Sequence, residues 1–143
     1  QKIETGLIEG VDFSNTMVSI AQKRNKKNIA NGKVTIIEGN FDEIPYGKDK
    51  FTKACSINTL YFWPKPEHTA KKIVDMLKPE GKLILGFEDV EQLKRRRLNK
   101  NVFHLYTKDE VQNLLINAGF SNTVSILSRE KGKSVFHCAV AIK

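Results

Sequence analysis

At 143 residues, with 40% hydrophobic and 28% charged side chains, the chain is sized for one compact domain over residues 1–143 with an ordinary core. No apolar run approaches the length that crosses a bilayer, and the start Gln1-Lys2-Ile3-Glu4 has neither a secretory apolar stretch nor a transit pattern, so the expected setting is cytoplasmic. The net charge of +8 raises the potential felt by phosphates and carboxylates and leaves room for an acidic partner, while saying nothing about fold.

In chain order, Gly6 to Phe13 reads as the first strand, with Ser14 placed to cap a helix from about Asn15 to Lys27. Met17, Ile20 and Ala21 are expected to face inward on that helix, and Asn31-Gly32 marks its exit. Val34 to Glu38 is a second strand, and the polar stretch Gly39 to Lys50, with Pro45 and Gly47, is a loop. Phe51 to Ile57 is a third strand. Pro66 suits a first helical turn, and Ala70, Ile73, Val74 and Leu77 then form an inward stripe that Pro79-Glu80-Gly81 ends. Lys82 to Phe87 is a fourth strand, apolar enough for coverage on both faces. Thr107-Lys108-Asp109-Glu110 is a capping-box pattern opening a helix whose Val111, Leu114, Leu115 and Ala118 share one face, up to Gly119. Thr123 to Ser128 and Ser134 to Ile142 flank Lys131-Gly132-Lys133 as an antiparallel hairpin. Strands alternating with helices predict an α/β fold with a mostly parallel sheet and helices on both faces.

Four stretches at the turns resemble class I S-adenosylmethionine-dependent methyltransferases, and together they span the chain. Gly10-Val11-Asp12-Phe13-Ser14 is similar to the end of that family's second strand, and Gly39-Asn40-Phe41 with Ile44-Pro45-Tyr46 to the loop after its third. Phe51 to Asn58 is similar to the fourth strand and its turn. Leu77-Lys78-Pro79-Glu80-Gly81-Lys82-Leu83, and later Ala118-Gly119-Phe120, resemble the turns before the fifth and sixth strands. Each pattern is common alone; their joint order is the specific signal.

The resemblance implies a Rossmann-like fold, S-adenosylmethionine as cofactor and methyl transfer as activity. It implies that Asp12 takes the ribose hydroxyls, that Phe13 lies against adenine, and that Asn40 and Phe41 read the adenine edge. Ser56 and Asn58 then stand near the methionine half and the methyl group. The family usually has Asp where this chain has Asn40, so charge is lost there. Its first strand and glycine-rich loop have no counterpart in the sequence, which leads to the expectation of an N-terminally incomplete domain, inactive alone. Its two inner strands would pair directly or be joined by a second copy as a homodimer.

Methyl transfer needs alignment rather than a catalytic triad, and no catalytic residue is singled out. Helix-start chemistry competes for Asp12, strand-end packing for Phe13, an Asx turn for Asn40 and turn capping for Ser56 and Asn58. Tyr61, Phe62 and Trp63 can wall a pocket or pack in the core. His68, His104 and His137 are not at metal-ligand spacing, so no metal is expected, and Cys55 and Cys138 are expected as buried free thiols. The basic run Lys94 to Arg97, followed by Lys100, suits an anionic acceptor, nucleic acid or simply a solvated face. A small-molecule acceptor is the leading expectation; the alternative is a non-catalytic basic interaction module binding protein or nucleic acid.

Overall fold

A computed structural model describes residues 5–96, 98–99, 102–121 and 123–143. The chain falls into two compact units, Gln1–Pro45 and Tyr46–Lys143.

In the first unit, β1 (Ile8–Asp12) and β2 (Val34–Glu38) pair in parallel, Asp12 opposite Glu38. Between them run α1 (Asn15–Arg24) and α2 (Lys26–Ala30). Ser14 caps α1 as expected, its hydroxyl accepting from the Met17 amide at 3.4 Å. The single helix expected to Lys27 is broken at Asn25, whose amide hydrogen and side chain both bond the Ala21 carbonyl and so stop the helical ladder. The buried residue of α1 is Val18, 4% exposed, whereas Met17 and Ile20 are 50% and 37% exposed. A two-stranded sheet is too narrow to cover a broad helical stripe, so contact narrows to one side chain.

In the second unit, β3 (Phe51–Ile57), β4 (Leu77–Glu88), β5 (Ser125–Lys131) and β6 (Ser134–Ile142) form one sheet in the order β3-β4-β6-β5. The β3–β4 pair is parallel and the other two pairs are antiparallel, which gives the expected closing hairpin. Direct pairing of β1 with β3 is not found among the described residues; the strands belong to separate sheets. Helix α3 (Pro66–Met76) stops at Met76, and the Pro79-Glu80-Gly81 turn lies inside the long strand β4 rather than before it. There β4 bulges between the pairs Phe51–Leu77 and Lys53–Lys82, with Glu80 at φ 61°.

Helix α5 (Lys108–Ala118) packs beside α3, and the expected stripes are buried: Ala70, Ile73 and Val74 on α3, and Val111, Leu114, Leu115 and Ala118 on α5. Against them lie Leu83, Leu85, Phe87, Ala139 and Ala141, alternate residues of β4 and β6 that share one sheet face. On the opposite face Ile57, Ile84, Leu127 and Phe136 are exposed. Cys55 belongs to that face, so it is exposed rather than buried, and Cys138 is half-buried; both are free thiols.

The capping box of α5 is complete. The Thr107 hydroxyl accepts from the Glu110 amide at 3.3 Å, and the Glu110 carboxylate accepts from the Thr107 amide at 2.7 Å, which holds its carboxyl below the usual range. Thr107→Ala is expected to destabilise the protein by about 1 kcal/mol, read as a lower urea midpoint at constant slope, while Thr107→Ser keeps most of the cap.

Candidate functional site

The carboxyl ends of β1 and β2 stand side by side, joined beyond the last pair by the Gly39 amide donating to the Asp12 carbonyl at 3.0 Å. Ligands of open α/β sheets bind at such ends. Asp12 is half-buried there; its Oδ1 accepts from the Ser14 amide at 2.8 Å. Among the described residues its Oδ2 takes no hydrogen bond, so one carboxylate oxygen is fixed and the other is open to a hydroxyl donor. Phe13 is 74% exposed and so is not the strand's last core residue.

Asn40 is committed locally. Its Oδ1 accepts from the Asp42 amide at 3.1 Å and its Nδ2 donates to Glu43 at 3.0 Å, the arrangement of an Asx turn. Phe41, next to it, is half-buried. Within this unit, Asp12, Phe13, Asn40 and Phe41 therefore share one rim, with Asn40 shaping the loop.

In the second unit, Ser56 is the penultimate residue of β3, and its hydroxyl is bonded to that of Thr59, which also accepts from the Trp63 indole at 3.3 Å. Asn58 follows at φ 56°, a left-handed turn that Asn tolerates better than most residues. Its amide donates to the Gly86 carbonyl at 2.9 Å. Its side-chain Oδ1 is buried without a hydrogen-bond partner among the described residues. A buried acceptor left unpaired is costly and suits a site that a ligand donor completes. In each unit, then, one strand-end residue offers an acceptor with no partner among the described residues: Asp12 in the first and Asn58 in the second.

The carboxyl end of β4 is tied down by residues that sequence patterns did not single out. The Glu88 amide donates to the Tyr61 hydroxyl at 2.5 Å. The Glu88 carboxylate takes both Arg96 guanidinium nitrogens, at 3.2 and 2.6 Å, and the Gln92 amide. Gln92 in turn accepts from the Val135 amide at 2.9 Å. Burial is the main reason the Tyr61 hydroxyl titrates above its ordinary range. These bonds fix the short helix α4 (Val90–Lys94) against the sheet. The His104 amide donates to the Tyr61 carbonyl at 3.0 Å, and the Phe62 and Phe103 rings meet at 4.8 Å. Of the three aromatics in the Tyr61 cluster, Tyr61 and Trp63 are core and Phe62 is exposed.

Within the basic run, Lys94 pairs with Glu91 at 2.6 Å and Arg96 with Glu88; Arg97 and Lys100 lie outside the described residues. His68 is exposed in the first turn of α3, and among the described residues no cluster of metal ligands occurs. No helix of the described chain is long and apolar enough to cross a membrane. An open groove of about 430 Å³ is lined by Glu67, His104, Tyr106, Glu110 and Asn113 among others. Burial, then Glu67 and Glu110, push the Tyr106 hydroxyl upward there.

The family model for the methyltransferase domain matches residues 4–85. A SAM-dependent methyltransferase of Thermotoga maritima, described as a possible histamine N-methyltransferase, has a similar structure at TM-score 0.75 and 20% identity, over 99% of this chain and 84% of that one. A SAM-dependent methyltransferase from Aquifex aeolicus is similar at TM-score 0.73 and 20% identity, over 97% and 70%. The Haemonchus contortus phosphoethanolamine N-methyltransferase 2, solved with phosphomonomethylethanolamine and S-adenosylhomocysteine, is similar at TM-score 0.79 and 14% identity, over 96% and 44%. Comparison with curated proteins gives no match. The Rossmann-like α/β fold expected from the turns is the fold these structures share.

Proposed function

Because this chain belongs to the methyltransferase domain family, we propose that it transfers a methyl group from S-adenosylmethionine to a small-molecule acceptor, as a single domain over residues 1–143. S-adenosylmethionine is the cofactor; when bound it supplies an electrophilic methyl group on a sulfonium. The observation that carries the reading is Asp12 at the tip of β1, with one carboxylate oxygen anchored by Ser14 and the other without a partner among the described residues. That oxygen accepts from the ribose hydroxyls. Phe13 lies against adenine, and Asn40 holds the loop from which Phe41 reads the adenine edge. Ser56 and Asn58 serve the methionine half, the unpaired Asn58 Oδ1 accepting from its ammonium group.

The remaining work is orientation and exclusion of water, for which the Tyr61-Glu88-Arg96 anchorage of α4 supplies a fixed wall. A small acceptor is favoured over nucleic acid because Lys94 and Arg96 are already paired with carboxylates. The descriptions of two of the similar structures name amine substrates. Among the described residues β1 pairs only with β2 and β3 only with β4, and a strand laid on either open edge, as from a second copy in a homodimer, belongs to the same proposal.

The test is incubation with S-adenosylmethionine labelled in its methyl group and a panel of small amines and hydroxy compounds. Labelled product is expected for at least one amine. No product, together with no binding of S-adenosylhomocysteine, would leave the non-catalytic interaction module standing.

A further inference from the structure

Outside the residues assigned to methyl transfer, three polar side chains form a continuous chain across β5, β6 and the start of α4. His137 on β6 is 5% exposed, and both its ring nitrogens are engaged. Nδ1 is 2.8 Å from the Ser128 hydroxyl, and Nε2 is 3.1 Å from Asp89 Oδ2. The Phe87 ring packs beside the imidazole at 5.1 Å. Asp89 is itself fixed, since its Oδ1 caps α4 by accepting from the amides of Glu91 and Gln92 at 3.0 and 3.3 Å. Ser128 lies directly opposite His137 in the β5–β6 ladder, is exposed, and sits on the outermost strand of its sheet.

These contacts decide which ring nitrogen meets the carboxylate and which meets the hydroxyl. Burial works to raise the Asp89 carboxyl, but the hydrogen bonds from His137 and from the Gln92 and Glu91 amides outweigh it and hold the group below its ordinary range. Asp89 is therefore an acceptor, so Nε2 of His137 donates to it, and in the neutral ring this leaves the Nδ1 lone pair facing the Ser128 O–H. A hydroxyl donating to an imidazole that a carboxylate orients is the arrangement that activates a nucleophile.

We propose that Ser128 is a base-activated nucleophile, a second reactive centre apart from methyl transfer, that takes small activated carboxylic esters. In the step, Ser128 Oγ bonds to the ester carbonyl carbon while its proton passes to His137 Nδ1. The carbon–oxygen bond to the leaving group breaks, and the leaving alkoxide or phenoxide takes the proton from Nδ1. Asp89 stabilises the transient imidazolium without being protonated. The product is an acyl ester on Ser128 and a free alcohol.

The whole chain treated with p-nitrophenyl acetate provides the test, with acetylated positions found by peptide mass spectrometry. Ser125, exposed on the same strand but opposite Val140, is the internal control. Ser128 is expected to acetylate about a hundredfold faster than Ser125, the low end of what a positioned general base contributes. Asp89→Asn keeps a good helix cap but removes the charge that sets the tautomer, and should slow Ser128 about tenfold at an unchanged melting temperature. Equal rates at Ser128 and Ser125, a comparison that needs no variant, would overturn the proposal, as would an Asp89→Asn protein that labels as fast as the parent. Neither result bears on S-adenosylhomocysteine binding.

Discussion

Asp12→Asn is expected to weaken S-adenosylhomocysteine binding by about tenfold to a hundredfold while leaving the fold intact. The carboxylate has two separate jobs. Its Oδ1 receives the Ser14 amide at 2.8 Å, which fixes the turn into α1, and an asparagine oxygen can take that bond over. Its Oδ2 is the open acceptor assigned to the ribose, where a hydrogen bond to a charged group contributes about 1.5–3 kcal/mol, and asparagine lacks that charge. Calorimetric titration measures the affinity and a thermal melt the fold. A residue serving only the helix start would behave in the opposite way, with binding unchanged and any loss confined to stability.

Gly81→Ala is expected to be the most damaging small change in the second unit. A Cβ at this buried position would lie 2.6 Å from the Lys78 carbonyl oxygen, 3.1 Å from Leu77 Cβ and 3.2 Å from the Lys78 amide nitrogen. Two of these neighbours are backbone and cannot swing aside. The bulge is also stitched to the chain's end, the Lys143 amide donating to the Gly81 carbonyl at 2.9 Å and Lys143 Nζ to the Leu77 carbonyl at 2.6 Å. Opening the bulge would therefore strain both segments. Overpacking of this kind costs about 3 kcal/mol at the upper part of its range, or a fall of roughly 10 °C in melting temperature. An unchanged melt would mean that the bulge relaxes freely.

The same bulge shows where sequence reading stops. Pro79-Glu80-Gly81 carries turn residues and reads as the end of a helix; the structure keeps it within β4, because pairing of Leu77 with Phe51 resumes the sheet before the turn is made. Local residue types report the bend but not the long-range partner on either side of it. The stripes of α3 and α5 were legible since each helix faces a broad sheet and a neighbouring helix, so every fourth position is buried. On α1 the same rule picks Met17 and Ile20 although Val18 is buried, since periodicity names a face only when something wide enough covers it.

The candidate site divides similarly. Asp12, Asn40 and Asn58 could be read off turn patterns since each stands at or just beyond the end of a strand in sequence. The polar chain of Asp89, His137 and Ser128 could not. His137 and Asp89 are 48 residues apart, and only the antiparallel return of β6 beside β4 brings them together. A histidine alternating within a strand carries no local sign of its partners.

The most direct measurement is a crystal structure of the protein with S-adenosylhomocysteine. The account places the ribose hydroxyls within hydrogen-bond reach of the Asp12 carboxylate at the carboxyl end of β1. A ligand bound with its ribose away from β1, and Asp12 turned only toward Ser14, would contradict it.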